Sequence, residues 1–157
     1  TLVNSNYISI GKGTVIEPQS YIEGPCIIGQ NCSVRHGSYI RPYVITGNNC
    51  VIGHCSEIKH SILLNKAKAP HFNYVGDSIL GNSVNIGAGV VCANFRLDQA
   101  EIIIKKLETG MKKLGAIIGD LSQIGCNSVI NPGVLIEKKS FFPPCSYIKK
   151  ANPNFKR

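Results

Sequence analysis

The chain has 157 residues, a formal net charge of +8 and 43% apolar residues, enough for one domain with a substantial core. No apolar run approaches the roughly 18 residues that a membrane helix needs, and no charged-then-apolar leader opens the chain, so the expectation is a soluble, cytoplasmic protein without a membrane partner. None of the seven cysteines forms a CxxC pair, which argues against a metal site and for thiols used as small apolar side chains.

From Ile10 an aliphatic or substitute residue recurs every six positions: Ile10, Ile16, Ile22, Ile28, Val34, Ile40, Thr46, Ile52, Ile58 and Leu64. Small residues sit four places on, among them Ser20, Cys26, Cys32, Ser38, Cys50 and Ser56. A six-residue period excludes an amphipathic helix, whose stripe returns every three or four residues, and marks a parallel β-helix in which each hexapeptide is one short strand and its turn. The aliphatic residue points inward, the small one closes the corner, and Gly or Asn serves the turn.

Residues 69–73, with the Pro70-His71 pair, read as a projecting loop spliced into this rhythm, which returns at Tyr74, Leu80 and Ile86. The rhythm restarts again at Ile118, Ile124, Ile130, Ile136, Phe142 and Ile148. At three hexapeptides per turn these positions predict roughly six coils, stacked about 4.8 Å apart. Between the blocks, residues 96–115 form a hairpin-like excursion: a strand at 101–105, a turn at 108–110 and a return strand at 111–114. Its three consecutive isoleucines, 102–104, need an apolar cover, for which a neighbouring subunit is the obvious candidate. The flat faces and open ends of such a prism favour self-association.

From Lys105 to the end there are ten basic residues against three acidic ones, many as pairs such as Lys138-Lys139 and Lys149-Lys150. That field favours anions. The pairs are not interleaved with stacking aromatics and no nucleic-acid motif is present, so a phosphate-bearing small molecule fits better than nucleic acid.

IRP at 40–42, SEIKHS at 56–61, KAPHFNYVGDSILGNSVNIGAG at 68–89 and CANF at 92–95 resemble the acetyltransferase domain of the bifunctional glucosamine-1-phosphate N-acetyltransferase and N-acetylglucosamine-1-phosphate uridyltransferase family. NFRLD at 94–98, KKLGAIIGD at 112–120 and IGCNSVINPGV at 124–134 resemble its archaeal-type branch, a group of sugar-phosphate nucleotidyltransferase/acetyltransferases.

The resemblance implies an all-β, left-handed parallel β-helix spanning 1–157 as a single domain, with the family's N-terminal nucleotidyltransferase domain absent from this chain. It also implies a homotrimer, whose sites are shared between chains, and an acetyl-CoA-dependent N-acetyltransferase acting on an amino-sugar phosphate in UDP-GlcNAc biosynthesis. His71 matches the catalytic base, and an imidazole suits the removal of a proton from an amino sugar near neutrality. Asn94 matches a polar residue beside the amine and the acetyl group, where donors could stabilise an oxyanion. Arg41, Lys59, Tyr74 and Asn85 match positions that hold the sugar and its phosphate. Phe95 and Ala116 match cofactor positions, and Lys138 and Lys139 are cofactor-phosphate candidates on charge, with Lys149 and Lys150.

Phe95 stands where the family commonly has Tyr, and Ala100 where it has Lys, a role Lys105 or Lys106 would have to fill. A catalytically silent trimerisation or regulatory module of a sugar-1-phosphate nucleotidyltransferase is the alternative. So is acyl transfer to a different amino sugar.

Overall fold

The computed structural model describes residues 1–149. Twenty-two short strands stack into three parallel sheets of eight, seven and seven strands, the walls of a triangular prism. The chain visits them in turn, as with Tyr21–Glu23 on the first wall, Cys26–Ile28 on the second and Ser33–Val34 on the third. In-register pairs such as Ile22 with Ile40 and Ile40 with Ile58 stack aliphatic side chains coil upon coil. Ile22, Ile40, Ile58, Leu80, Ile86 and Ile130 are all fully buried. The fold is thus the expected left-handed parallel β-helix.

The serines close the corners by a specific device. Their hydroxyls lie inside the prism and accept corner N–H groups from the next coil, as from Asn73 N to Ser56 Oγ at 3.1 Å, Ser78 N to Ser61 Oγ at 3.0 Å and Ala116 N to Ser78 Oγ at 3.0 Å. Each satisfies a backbone donor that would otherwise be buried unpaired. Cys26, Cys32, Cys50 and Cys92 are likewise interior, and all seven thiols are free. Burial pushes the Cys50 thiol up to about 11 and Cys92 up to about 12, so these are packing groups and not nucleophiles. Cys92 faces the core, not the site region.

Four details differ from the sequence reading. The coils number more than six, because Leu2–Val3 and Ile8–Ile10 already belong to the walls; at this open end even Ile10 and Ile16 are 38% and 36% exposed, so the pattern carries little signal there.

Second, the rhythm is broken by a deletion. Ile40 pairs with Ile58, but Ile58 pairs with Val75 and Leu63 with Leu80, so the coil shortens from 18 residues to 17. Leu63 and Val75, both fully buried, are therefore the inward residues, whereas Leu64 is 38% exposed and Tyr74 points outward. Leu63→Ala should accordingly cost about 2–5 kcal/mol in chemical denaturation, and Leu64→Ala about 0.5 kcal/mol or less. The reverse order would mean that the phase is wrong.

Third, 69–73 does not project as a loop. Lys68–His71 is a strand, Ala69 is fully buried and Asn73 nearly so, which leaves only His71 and Phe72 exposed at a corner.

Fourth, the excursion is a tighter hairpin. Ile103–Ile104 pairs antiparallel with Leu107–Glu108, and the turn falls at Lys105-Lys106, with Lys105 at φ 57. Ile102 is covered by its own chain, over Gly133, where a Cβ would lie 2.5 Å from the Ile102 side chain.

Candidate functional site

The deletion is localised at the corner between the first and second walls. Three residues, Arg41, Pro42 and Tyr43, turn that corner between the buried Ile40 and Val44, but only Lys59 and His60 turn it before Ser61, and only Gly76 and Asp77 before Ser78. Tyr43, His60 and Asp77 take φ 64, 48 and 48 there, a left-handed conformation that Asp and Asn tolerate better than most residues. The excursion springs from the same corner. Leu114 N donates to Asn94 O at 3.0 Å and Gly115 N to Asp77 O at 2.8 Å.

Four of the expected site residues meet on this wall and corner. Arg41 lies 3.0 Å from Glu57 and 5.8 Å from the centre of the Tyr39 ring, and its Nε is buried with no hydrogen-bond partner among the described residues. Lys59 lies 3.1 Å from Asp77. Asn94 donates to Asp77 through a short hydrogen bond and lies on the same side as the Tyr74 hydroxyl. Gly76 makes room for this pairing, since a Cβ there would sit 2.6 Å from the Tyr74 hydroxyl and 2.8 Å from Asn94 Nδ2. Burial, followed by the charges of Glu57 and Asp77, raises the Tyr74 hydroxyl above its ordinary value and keeps it neutral.

Asp77 is the hub, with a side chain 9% exposed. Burial alone would raise its carboxyl, but hydrogen bonds from Asn94, Lys59 and His60 outweigh that and hold it below the usual carboxylate range. A carboxylate lowered in the folded state contributes stability above its unfolded value, near 3.9, and loses it as pH falls through the folded value. Acid titration should therefore leave the Leu114 and Gly115 amides protected from exchange down to about pH 4 and release them below it. Release already at pH 5 to 6 would contradict the assignment.

The other expected residues lie elsewhere. His71 stands at the opposite edge of the first wall, at the corner with the third. It is exposed, pairs in register with His54, and its ring makes no hydrogen bond among the described residues. The stacked rings of His36 and His54, 5.5 Å apart, continue this column one coil back. Five residues of chain separate His71 from Gly76, at most about 17 Å.

Asn85 is on the third wall beside Lys68, in a polar groove of about 620 Å³ with Lys66, Ser83 and Gln123. Lys138 and Lys139 are exposed at the corner between the second and third walls. Phe95 is 42% exposed and bridges Lys113 at the root of the excursion. Lys149 is engaged over the Tyr147 ring at 4.7 Å, and Lys150 lies outside the described residues. Ala116 is fully buried, with its N–H given to Ser78 Oγ and its carbonyl taken by Ile79 N. It therefore belongs to the interior.

Glu57, Asp77 and His60 escaped the sequence reading. Their signal was spacing: Glu57 is 16 residues from Arg41 and Asp77 is 18 from Lys59, about one coil, so opposite charges one coil apart become neighbours.

Beside this corner an apolar groove of about 630 Å³ runs along the second wall. Ile27, Ile45, Ile62 and Ile79 form its floor, Met111 and Leu114 of the excursion overhang it, and His60 and Asp77 stand at its edge.

The family model of the GMPPB C-terminal domain matches residues 22–109. The chain belongs to that family. A bifunctional sugar-1-phosphate nucleotidylyltransferase/acetyltransferase from Sulfurisphaera tokodaii is 42% identical over 83 residues, which are 50% of this chain and 21% of that protein. The bifunctional protein GlmU of Methanococcus maripaludis is 42% identical over 86 residues, 53% of this chain and 21% of its own. This member of the GMPPB C-terminal domain family thus spans about a fifth of the length of these relatives, in agreement with the resemblance carried by its motifs. Among solved structures, a hexapeptide transferase family protein from Anaplasma phagocytophilum superposes with a TM-score of 0.69 at 15% identity, covering 87% of this chain and 73% of that one. That likeness establishes the shared fold.

Proposed function

We propose that the chain is an acetyl-CoA-dependent N-acetyltransferase domain that acts on an amino-sugar phosphate of the glucosamine-1-phosphate type, in nucleotide-sugar biosynthesis. The observation that carries this reading is the convergence of Arg41, Lys59, Tyr74 and Asn94 on one wall and corner, with Arg41 Nε buried and unpartnered among the described residues. A guanidinium and an ammonium on one surface suit a sugar phosphate, the first by forked hydrogen bonds and the second as a point charge. Asn85 would hold the sugar from the third wall.

His71 accepts a proton from the substrate ammonium and passes it to solvent, and the freed amine attacks the thioester carbonyl. The tetrahedral adduct gives its second nitrogen proton to His71 as it collapses to the amide. Coenzyme A leaves as the thiolate and takes up the proton. The apolar groove beside Asn94 suits the pantetheine arm, with Phe95 near its mouth, while Lys138 and Lys139 suit the terminal phosphates. Within one chain His71 and the Lys59 corner occupy opposite edges of the wall. A homotrimer brings the His71 edge of one protomer to the cationic corner of the next.

A second reading, a silent trimerisation module, is favoured by one observation: Arg41 and Lys59 are each already paired with a carboxylate. A thiol-release assay over a panel of amino-sugar phosphates tests the enzyme reading, and calorimetry separates the two, since a silent module binds neither acetyl-CoA nor sugar phosphate.

A further inference from the structure

Asp77 receives three donors, two from the coil behind it and one from the coil ahead. Lys59 Nζ lies 3.1 Å from Oδ2 and 3.4 Å from Oδ1, His60 Nδ1 lies 3.0 Å from Oδ1, and Asn94 Nδ2 donates to Oδ2. Its backbone repeats the pattern, with N donating to Lys59 O at 2.9 Å and O accepting from Gly115 N at 2.8 Å. Asp77 therefore ties the lysine one coil back to both ends of the excursion, Asn94 at its exit and Gly115 at its return.

The hydrogen-bond partners also decide which way the Asn94 amide faces. A carboxylate only accepts, so the atom turned toward Asp77 is the nitrogen. The Tyr74 hydroxyl lies on the same side as this nitrogen, because Gly76 lies against Asn94 Nδ2 and the Tyr74 hydroxyl together. With the nitrogen turned to Asp77, the carbonyl oxygen is the atom turned away from it. A ligand on that side meets an acceptor.

We infer that Asp77 is a positioning residue for the acetyl transfer proposed above, and on which this inference rests: it locks the Asn94 amide so that its carbonyl oxygen accepts from the substrate amine, and fixes that oxygen relative to the Lys59 ammonium. An acceptor at the amine orients the nitrogen lone pair toward the thioester, whereas a flipped amide would oppose the ammonium with its own N–H groups. Asp77 itself is engaged by Lys59, His60 and Asn94 and acts through them.

The test is Asp77→Asn, because Asn keeps the left-handed backbone at this position and removes the charge and one of the two acceptor oxygens that order the three donors. Turnover should fall by about ten- to a hundredfold, as small misplacements of a reactant do, with KM for acetyl-CoA unchanged. In an Asn94→Ala background the same change should cost less than threefold, because the residue through which Asp77 acts is already gone. A drop in turnover of under threefold in the single variant, or an undiminished further drop in the double, would overturn the inference.

A readout independent of turnover keeps the two readings apart. The Asn94 side-chain amide signals in 15N NMR should be slow to exchange in the parent protein and fast in Asp77→Asn. Equal exchange in both overturns the positioning role. Absence of acetyl transfer by the parent protein across the substrate panel overturns the reaction, and leaves the amide measurement to decide whether Asp77 holds Asn94.

Discussion

Replacing His71 with alanine should lower acetyl transfer by about two to four orders of magnitude, the usual contribution of a positioned general base, while assembly and melting temperature stay where they are. The separation of the two effects follows from how the fold uses this residue. Its backbone is structural: the amide donates to Asn73 Oδ1 at 3.1 Å, and the carbonyl accepts from Gly89 N at 3.0 Å. Its ring is exposed and makes no hydrogen bond among the described residues. Alanine keeps both backbone bonds and leaves no cavity, so the stability change should stay within about 0.5 kcal/mol.

The neighbouring rings sharpen the comparison. His54 stacks on His36 and meets the edge of Phe72 at 5.1 Å, and its Nδ1 lies 3.1 Å from His36 O, so His54→Ala removes packing and should lower stability more than turnover. If His71→Ala transfers acetyl within threefold of the parent rate, no proton passes through that ring and the mechanism falls.

The period was legible because one physical demand, an aliphatic side chain filling a triangular interior, recurs at every rung and overrides local propensity. The phase slip was not, because Leu63-Leu64 and Tyr74-Val75 each offer two apolar neighbours, and only one of each pair enters the core. The hairpin turn was misplaced for a related reason. Gly110 does take φ 67, but Lys105 takes φ 57 without being glycine, as do His60, Phe72 and Cys55 at the corners. In a solenoid the stacked coils impose the left-handed conformation on whatever residue stands there, so glycine and asparagine mark only some of the turns. At the site, motif matching found the cations, yet not their carboxylates, since pairing across coils depends on a coil length that itself changes from 18 to 17 at Ile58.

Gly53→Ala should be the most damaging small substitution in the chain, costing upwards of about 4 kcal/mol, in the range reserved for changes with no room to relax. Gly53 lies in the strand Val51–His54, level with Pro70 in Lys68–His71. A Cβ on it would sit 1.5 Å from Pro70 O, 2.0 Å from its carbonyl carbon and 2.3 Å from its Cα. All three are backbone atoms, so no rotamer change relieves the overlap and the two coils must separate.

Separation would break the pairing of Ala69 with Ile52 and of His71 with His54, and strip cover from Ile52 and Ala69, both buried. Because Pro70 leads directly into His71, any variant that still folds should also carry a displaced base and lose turnover. Gly110→Ala is the matched control. Its φ of 67 imposes the left-handed penalty, but nothing among the described residues lies within 4 Å of the added carbon, so its cost should stay about 1 kcal/mol. Denaturation of the two variants side by side isolates steric exclusion from backbone strain. Equal losses would mean that the coils at Gly53 and Pro70 are not held this close, and that close stacking is not what sets His71 at its corner.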